Sequence, residues 1–177
     1  MLKALLNMLG FQCGWVLCVF GSAHGYPWLG PAVAVILLAG HSLLVEQPLR
    51  SIQFIAMIGL VGTVVDSLLG LIGVLRFHNS LGPGWLCPPW LGALWMLLAT
   101  TPDVSLRWLR GRMTLAAVLG AIAGPSSYYA GAEVGALALG TSLLTSLIVL
   151  AVVWAAVLPL MVATSARLDH STVPVER

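Results

Sequence analysis

Residues 52–75 read IQFIAMIGLVGTVVDSLLGLIGVL, and Asp66 is the sole charged residue among them. A transmembrane helix needs about 20 consecutive apolar residues, so this stretch alone is long enough to cross a bilayer. Five similar apolar runs accompany it, at residues 4–22, 29–45, 87–101, 113–129 and 142–163. The six runs occupy most of the chain, so we predict an all-α integral membrane bundle of six transmembrane helices. It forms one domain over residues 1–165, followed by a short polar cytoplasmic tail at 166–177.

The composition supports the same class of protein. Apolar residues make up 59 % of the 177 residues, and only 8 % are charged. Soluble domains contain roughly 45–50 % apolar residues, and a chain of this length has too little interior to bury the excess. The formal net charge of +2 comes with no basic stripe carrying interleaved aromatic residues, so we expect no nucleic acid partner.

If the six runs cross the membrane, seven of the eight Lys/Arg residues lie on the same side of it. Basic side chains are retained in the cytoplasm during insertion, which fixes the orientation of a membrane protein. Arg76 alone falls on the outer side, and both termini are predicted to be cytoplasmic. The basic residues that share the inner side are Lys3, Arg50, Arg107, Arg110, Arg112, Arg167 and Arg177.

The first apolar run also has features of a secretory signal peptide. Lys3 would be its basic start, and residues 21–23 would be a small-residue cleavage site. Asn7 and Gln12 interrupt the apolar region, which favours an uncleaved first helix.

Small residues form a stripe on one face of the third run. Gly59, Gly62, Asp66, Gly70 and Gly73 fall within an arc of roughly 80° on a helix. Close approach across small residues is the usual way in which helices associate in lipid, so we expect this face to point into the bundle. The same stripes could also serve a homo-oligomer. Two further runs repeat the spacing, with Asn7, Gly10, Gly14, Cys18 and Gly21 in the first and Ala117, Gly120, Gly124, Tyr128 and Gly131 in the fifth.

Asp66 is the strongest candidate for a functional residue. It lies near the middle of the membrane at the centre of the glycine stripe, where an ionised carboxylate costs several kcal/mol. The carboxyl group must therefore be neutral, hydrogen-bonded or in contact with water. We expect it to bind a substrate or a proton, and the alternative is a structural clip between helices.

Three other polar residues interrupt the apolar runs. Asn7 and Gln12 lie about 140° apart on the first helix, and His41 lies in the inner part of the second. Each is a candidate binding residue. The alternative is an ordinary interhelical hydrogen bond, or a packed histidine, with no ligand.

Residues 124–131 read GPSSYYAG and are the densest polar segment. Pro125 removes a backbone donor, so we expect the helix to kink or end there. Ser126, Tyr128 and Tyr129 would then form one wall of a polar pocket, or else a simple helix exit with interfacial aromatic residues.

Motifs of known chemistry are absent from the sequence. It has no nucleophile elbow, no HExxH and no phosphate-binding loop. The three cysteines include no CxxC pair, and we expect no metal and no cofactor. An external metal site from His24, His78 and Glu133 is the weaker alternative.

Several of these residues, in this order and spacing, resemble an uncharacterised bacterial inner-membrane family, domain of unknown function 2878. The resemblance spans nearly the whole chain, and it implies a compact multi-pass inner-membrane protein with an associational link to lipid modification. It defines no catalytic residues. The matching residues are Asn7, Phe11, Gln12, Trp15, Asp66, Ser67, Gly124, Pro125, Tyr128, Gly131, Trp154 and Pro159.

Three functions follow as hypotheses. The first is a small permease or binding protein for a small molecule or lipid, with a polar intramembrane site around Asp66. The second is a membrane enzyme, or its accessory subunit, that modifies fatty-acyl lipids. The third is a structural or assembly partner whose polar residues only hold helices together.

Overall fold

The computed structural model describes residues 1–77, 82–140 and 142–170, and for Asp169 and His170 it describes the backbone alone. Within these ranges the fold is all-helical, as predicted, apart from two short strands. His78, the first part of the loop after it, and residues 171–177 of the predicted tail lie outside the described residues. The elements in chain order are α1 (Leu2–Ala23), α2 (Leu29–Leu44), α3 (Pro48–Leu71), β1 (Leu75–Arg76), α4 (Pro89–Leu98), a 3₁₀ turn (Arg107–Leu109), α5 (Met113–Glu133), β2 (Ala138–Leu139) and α6 (Leu143–His170).

Three of the helices are long and apolar enough to cross a membrane. They are α1, α3 and the Leu143–Leu168 part of α6, whose mean hydropathies reach 1.6, 2.1 and 2.6. The chain is therefore a membrane protein by the length and composition of its helices. Six crossings and the orientation of the ends remain predictions, since α2 has 16 residues and α4 has 10.

The fourth predicted crossing differs most from the structure. We predicted residues 87–101, but α4 has a length of only about 15 Å, half the thickness of the hydrocarbon core. The chain before α4 is non-helical and packs along α3, where the Cys87 backbone N–H donates to Ser67 Oγ at 3.1 Å. After α4, the chain turns at Thr100 and Thr101, whose hydroxyls donate to carbonyls three residues earlier. Irregular backbone at membrane depth is tolerated where protein buries it, as it does for Cys87 and Thr101.

The helix α5 also differs from prediction, because it does not end at Pro125. It continues to Glu133. Proline leaves carbonyls of the preceding turn without a backbone donor. The carbonyl left without its helical donor is that of Ala121, four residues before Pro125, whereas the Ser126 hydroxyl donates to the next carbonyl, that of Ile122, at 2.7 Å. Gly124 and Pro125 are themselves buried, so packing keeps this part of the helix in place.

The helices α1, α3 and α5 end in the same kind of turn. After α3, the Gly73 N–H donates to the Gly70 carbonyl and the Val74 N–H to the Leu69 carbonyl, with Gly73 at a φ of 78°. Such a turn needs a left-handed residue just past the helix, which glycine supplies without strain. The chain then enters β1, which pairs antiparallel with β2 after α5. This pairing joins α1–α4 to the α5–α6 hairpin at one end of the bundle.

The opposite end is called here the basic end. The start of α1, the end of α2, the start of α3, the segment after α4 and the end of α6 meet there, because they line one cavity. Lys3, Arg50 and Arg107 are among its lining residues. Parts of the chain that are far apart in sequence thus bring three of its eight Lys/Arg residues together.

Candidate functional site

Asp66 lies at the centre of the bundle and has no exposed surface. Its Oδ2 accepts a hydrogen bond from Trp95 Nε1 in α4 at 2.6 Å. Its Oδ1 accepts one from the Tyr128 hydroxyl in α5, also at 2.6 Å. One carboxyl group therefore links three helices and has a donor on each oxygen.

A second tryptophan completes this group. Trp154 of α6 stacks on Trp95, with ring centroids 4.8 Å apart and planes 10° from parallel, and it tilts against Tyr128. Its indole Nε1 is shielded from solvent, and no acceptor among the described residues meets full hydrogen-bond geometry with it. The Tyr128 hydroxyl is the polar group close enough to interact with it. Asp66, Trp95, Tyr128 and Trp154 are called the Asp66 cluster below.

The glycine stripes explain how large rings fit beside this carboxyl. Gly62 lies one helical turn before Asp66, and a Cβ there would overlap the ring of Trp95. Gly124 lies one turn before Tyr128, and a Cβ there would overlap Trp154. Each polar residue thus follows a glycine that makes room for a tryptophan. The spacing found in the sequence has this physical cause at both positions.

The geometry of the Asp66 cluster suits a clamp. Both carboxyl oxygens are occupied by protein donors, and the aromatic rings pack around them. Asp66 lines none of the four cavities described for this protein. Nearby, Trp15 Nε1 donates to Ser127 Oγ at 2.8 Å and ties α1 to α5 in the same way.

The second polar region is a cavity of about 300 Å³ between α1, α2 and the end of α4, called here the α1–α2 cavity. Most of its lining is apolar. Asn7, His41 and Thr100 supply polar groups. Asn7 Nδ2 donates to Thr100 Oγ1 at 2.9 Å, and Asn7 Oδ1 accepts from Ser105 Oγ at 2.7 Å. These bonds fix the Asn7 side chain to the segment around the end of α4.

His41 connects the cavity to the turn between α2 and α3. Its Nε2 lies 3.0 Å from Ser51 Oγ, and the histidine tautomer determines which of the two groups donates this hydrogen bond. Ser51 lies at the start of α3, so the contact holds the end of α2 against it. This bond orients the ring at the cavity wall.

A larger polar cavity of about 420 Å³ adjoins the first at the basic end and is called the vestibule. The two cavities share Lys3, Leu44, Val45 and Val104 in their linings. Further charged residues of the vestibule are Arg50, Arg107, Glu46 and Asp103. An apolar compartment thus leads directly into a charged one.

One carboxylate of the vestibule is already paired. Arg110 Nη2 lies 2.6 Å from Asp103 Oδ1 and 3.2 Å from Ser165 Oγ. Ser165 also donates to Asp103. This group fastens the segment after α4 to the end of α6. Arg50 Nη1 donates to the Leu168 carbonyl at 3.2 Å, which ties the start of α3 to α6 as well.

The predicted binding residues therefore divide into three places. Asp66 and Tyr128 meet in the buried cluster, while Asn7 and His41 line the α1–α2 cavity. Gln12, Ser126 and Tyr129 are exposed on the outer surface of the bundle and join neither region. The structure does not bring Gln12 near Asp66.

Sequence reasoning missed Trp95, Thr100 and Ser105 as partners of these residues. Their hydrogen bonds join parts of the chain separated by 29 to 98 residues, so no local pattern contained them. Trp95 carried one weak signal, because a tryptophan in the middle of an apolar run needs a partner for its indole N–H.

Among the described residues, no group of three His, Cys, Asp or Glu side chains stands close enough to hold a metal ion. The proposed partner residue His78 lies outside those residues, so the His24, His78 and Glu133 alternative stays a prediction.

Comparison with known proteins gives one match. Searches of curated proteins and of solved structures found nothing similar. A family model described as "Protein of unknown function (DUF2878)" matches residues 4–160. That match includes all the residues of the Asp66 cluster and covers most of the chain, so this protein belongs to the DUF2878 family.

Proposed function

We propose that this protein is a small multi-pass membrane protein that binds an amphiphile in the α1–α2 cavity. The observation that carries the proposal is the joining of an apolar cavity to the charged vestibule through a shared wall. Ligand pockets typically measure roughly 300–1,000 Å³ and combine an apolar lining with a few polar groups. The α1–α2 cavity is at the lower end of this range.

The cavity is accessible from the side as well as from the vestibule. Leu6, Ile36 and Leu44 line it, and each is more than half exposed on the outer surface. Along α1 its lining extends from Lys3 to Phe11, which corresponds to about 12 Å of helix. An acyl chain could enter it from the membrane between α1 and α2.

Asp66 has a different role in this proposal. Its oxygens are saturated by Trp95 and Tyr128, so it clamps α3, α4 and α5 while the ligand binds elsewhere. This favours the binding-protein hypothesis with its site moved away from Asp66. A permease that uses the Asp66 carboxyl would need the cluster to open.

The structural or assembly role remains the second candidate, supported by the completeness of the Asp66 cluster. No contact among the described residues favours the enzyme alternative. The bacterial inner membrane, cytoplasmic ends and six crossings are part of the proposal. They are supported by the gathering of Lys3, Arg50 and Arg107 at one end.

The experiment uses palmitic acid with a photoreactive diazirine near the end of its chain. It is added to the purified protein in mild detergent, and labelled peptides are mapped by mass spectrometry. We expect labels on residues 2–11 and 36–45. Gly40→Phe should lower this labelling about tenfold. A Cβ added at Gly40 meets no atom within 4 Å, so the phenylalanine ring would occupy open space in the cavity. There it would displace about two methylene groups of the bound palmitate, and each buried methylene group contributes ~0.8 kcal/mol to binding.

Leu43→Phe is the matched control, because Leu43 lies on the same helix, is 87 % exposed and does not line the cavity. Its labelling should equal that of the wild type. Labels spread evenly over all exposed helix faces, and unchanged by Gly40→Phe, would refute the proposal.

A further inference from the structure

We infer that the occupant of the α1–α2 cavity is an anionic phospholipid of the leaflet at the basic end, with one acyl chain in the cavity and its phosphate in the vestibule beside Lys3 and Arg50. This rests on the proposed function and adds the chemical class of the ligand and the residues that select it.

Lys3 is the residue that connects the two compartments. It lines both the α1–α2 cavity and the vestibule, and its side chain is exposed. A lipid whose chain follows α1 through the cavity would therefore bring its head group to the Lys3 ammonium. A phosphate group is a strong acceptor for such a cation.

The charges of the vestibule favour an anion. Lys3 and Arg50 line it together with two carboxylates, and one of these, Asp103, is already held by Arg110. Arg50 donates a hydrogen bond to the Leu168 carbonyl, which is uncharged and therefore does not neutralise the guanidinium. Glu46 is the remaining acidic lining residue, and an additional anion would balance the cations.

The lining also disfavours other occupants. A soluble anion would fill the vestibule but leave the apolar cavity empty, while a neutral lipid would fill the cavity without compensating the cations. Only an amphiphile with an anionic head satisfies both compartments at once.

The test measures which lipids remain bound to the full-length protein. The protein is reconstituted in vesicles of equal phosphatidylglycerol and phosphatidylcholine and then extracted in mild detergent. Native mass spectrometry gives the ratio of the two lipids retained. The wild type should retain phosphatidylglycerol in preference. Each cation near an anionic head group changes affinity about fivefold, so Lys3→Gln with Arg50→Gln should reduce the preference about 30-fold.

Arg167→Gln is the matched control, since Arg167 is an exposed cation near the same end of α6 and does not line the vestibule. Its lipid ratio should stay within about twofold of the wild type, because screening weakens charges that do not face the site. An equal loss in this control would mean that the preference reflects the general surface charge, and would overturn the inference.

Photolabelling separates this inference from the proposed function. If the double variant still takes up the palmitate label at residues 36–45 and the wild type shows no lipid preference, the cavity binds amphiphiles but the anionic assignment is wrong. If the label fails to enter the cavity in the wild type, both proposals fail. Loss of preference with retained labelling in the double variant supports both.

Discussion

The Asp66 cluster and the α1–α2 cavity are both polar regions inside an apolar bundle, yet they are built in opposite ways. In the cluster, the carboxyl oxygens are both occupied by donors and Asp66 has no exposed surface. In the cavity, Asn7 and His41 are held by neighbouring groups but border a space of about 300 Å³. A polar side chain inside the bundle is therefore interpreted as a clamp where protein packs around it, as at Asp66. It is interpreted as part of a binding site where it borders open space, as at Asn7 and His41.

The largest expected effect concerns the clamp. Asp66→Ala removes the acceptors of Trp95 and Tyr128, and a buried donor left unpaired costs about 1–3 kcal/mol. We expect a loss of about 2–4 kcal/mol in the free energy of unfolding, measured by titrating the detergent-solubilised protein with sodium dodecyl sulfate. Ser126→Ala is the control, because that exposed hydroxyl bonds only within its own helix.

Asp66→Asn refines the same comparison. The amide oxygen can accept from Trp95, while the amide N–H can donate to the Tyr128 hydroxyl after that hydroxyl rotates. We therefore expect a cost of about 1 kcal/mol, the usual size of one altered hydrogen bond. A loss as large as that of Asp66→Ala would show that the carboxyl charge, and not its acceptors, holds the helices.

Two glycines give the next contrast. Gly62→Ala puts a Cβ into the ring of Trp95, and overpacking of this kind costs about 1–3 kcal/mol. Gly40→Ala, facing the α1–α2 cavity, meets no atom within 4 Å and should be neutral or stabilising by up to about 1 kcal/mol through helix propensity. The same titration measures both. Equal costs would mean that the cavity is closed around Gly40 in the folded, detergent-solubilised protein.

The smallest effect is expected at Asn7. Asn7→Ala removes its hydrogen bonds to Thr100 and Ser105, and interhelical bonds of this kind average about 0.6 kcal/mol. The free energy of unfolding should fall by about 0.6–1.2 kcal/mol for the two bonds, well below the cost of Asp66→Ala. A cost above 2 kcal/mol would make Asn7 part of a second clamp and weaken its assignment to a binding cavity.

The sequence was sufficient for the helical class, because apolar runs of about 20 residues have few alternatives in a chain this poor in charge. It located all six helices, and it identified Asp66 and Tyr128 as unusual. It failed on the length of α4, because burial by neighbouring chain replaced helical hydrogen bonding around Cys87 and Thr101. It failed at Pro125 because Gly124 and Pro125 are buried, and their packing keeps the helix continuous despite the lost donor.

The sequence could not predict which polar residues lie in the Asp66 cluster, which line the α1–α2 cavity and which are exposed, because helix packing determines this. Gln12 and Asn7 share one helix, and only the packing of α1 against α2 and α4 determines that Asn7 faces inward while Gln12 is exposed. The vestibule is likewise assembled from four helix ends and the segment after α4, so its lining follows from the tertiary arrangement. The sequence predicted that the basic residues share one side of the membrane, and it gave no sign that Lys3, Arg50 and Arg107 line one cavity.

The separation of clamp from site is tested most directly by photolabelling Asp66→Asn with the diazirine palmitate. We predict that the folded Asp66→Asn variant is labelled at residues 36–45 to within about twofold of the wild type, because the side chain at position 66 does not line the α1–α2 cavity. Loss of that label from a variant whose unfolding titration remains near that of the wild type would contradict it and return the binding site to Asp66.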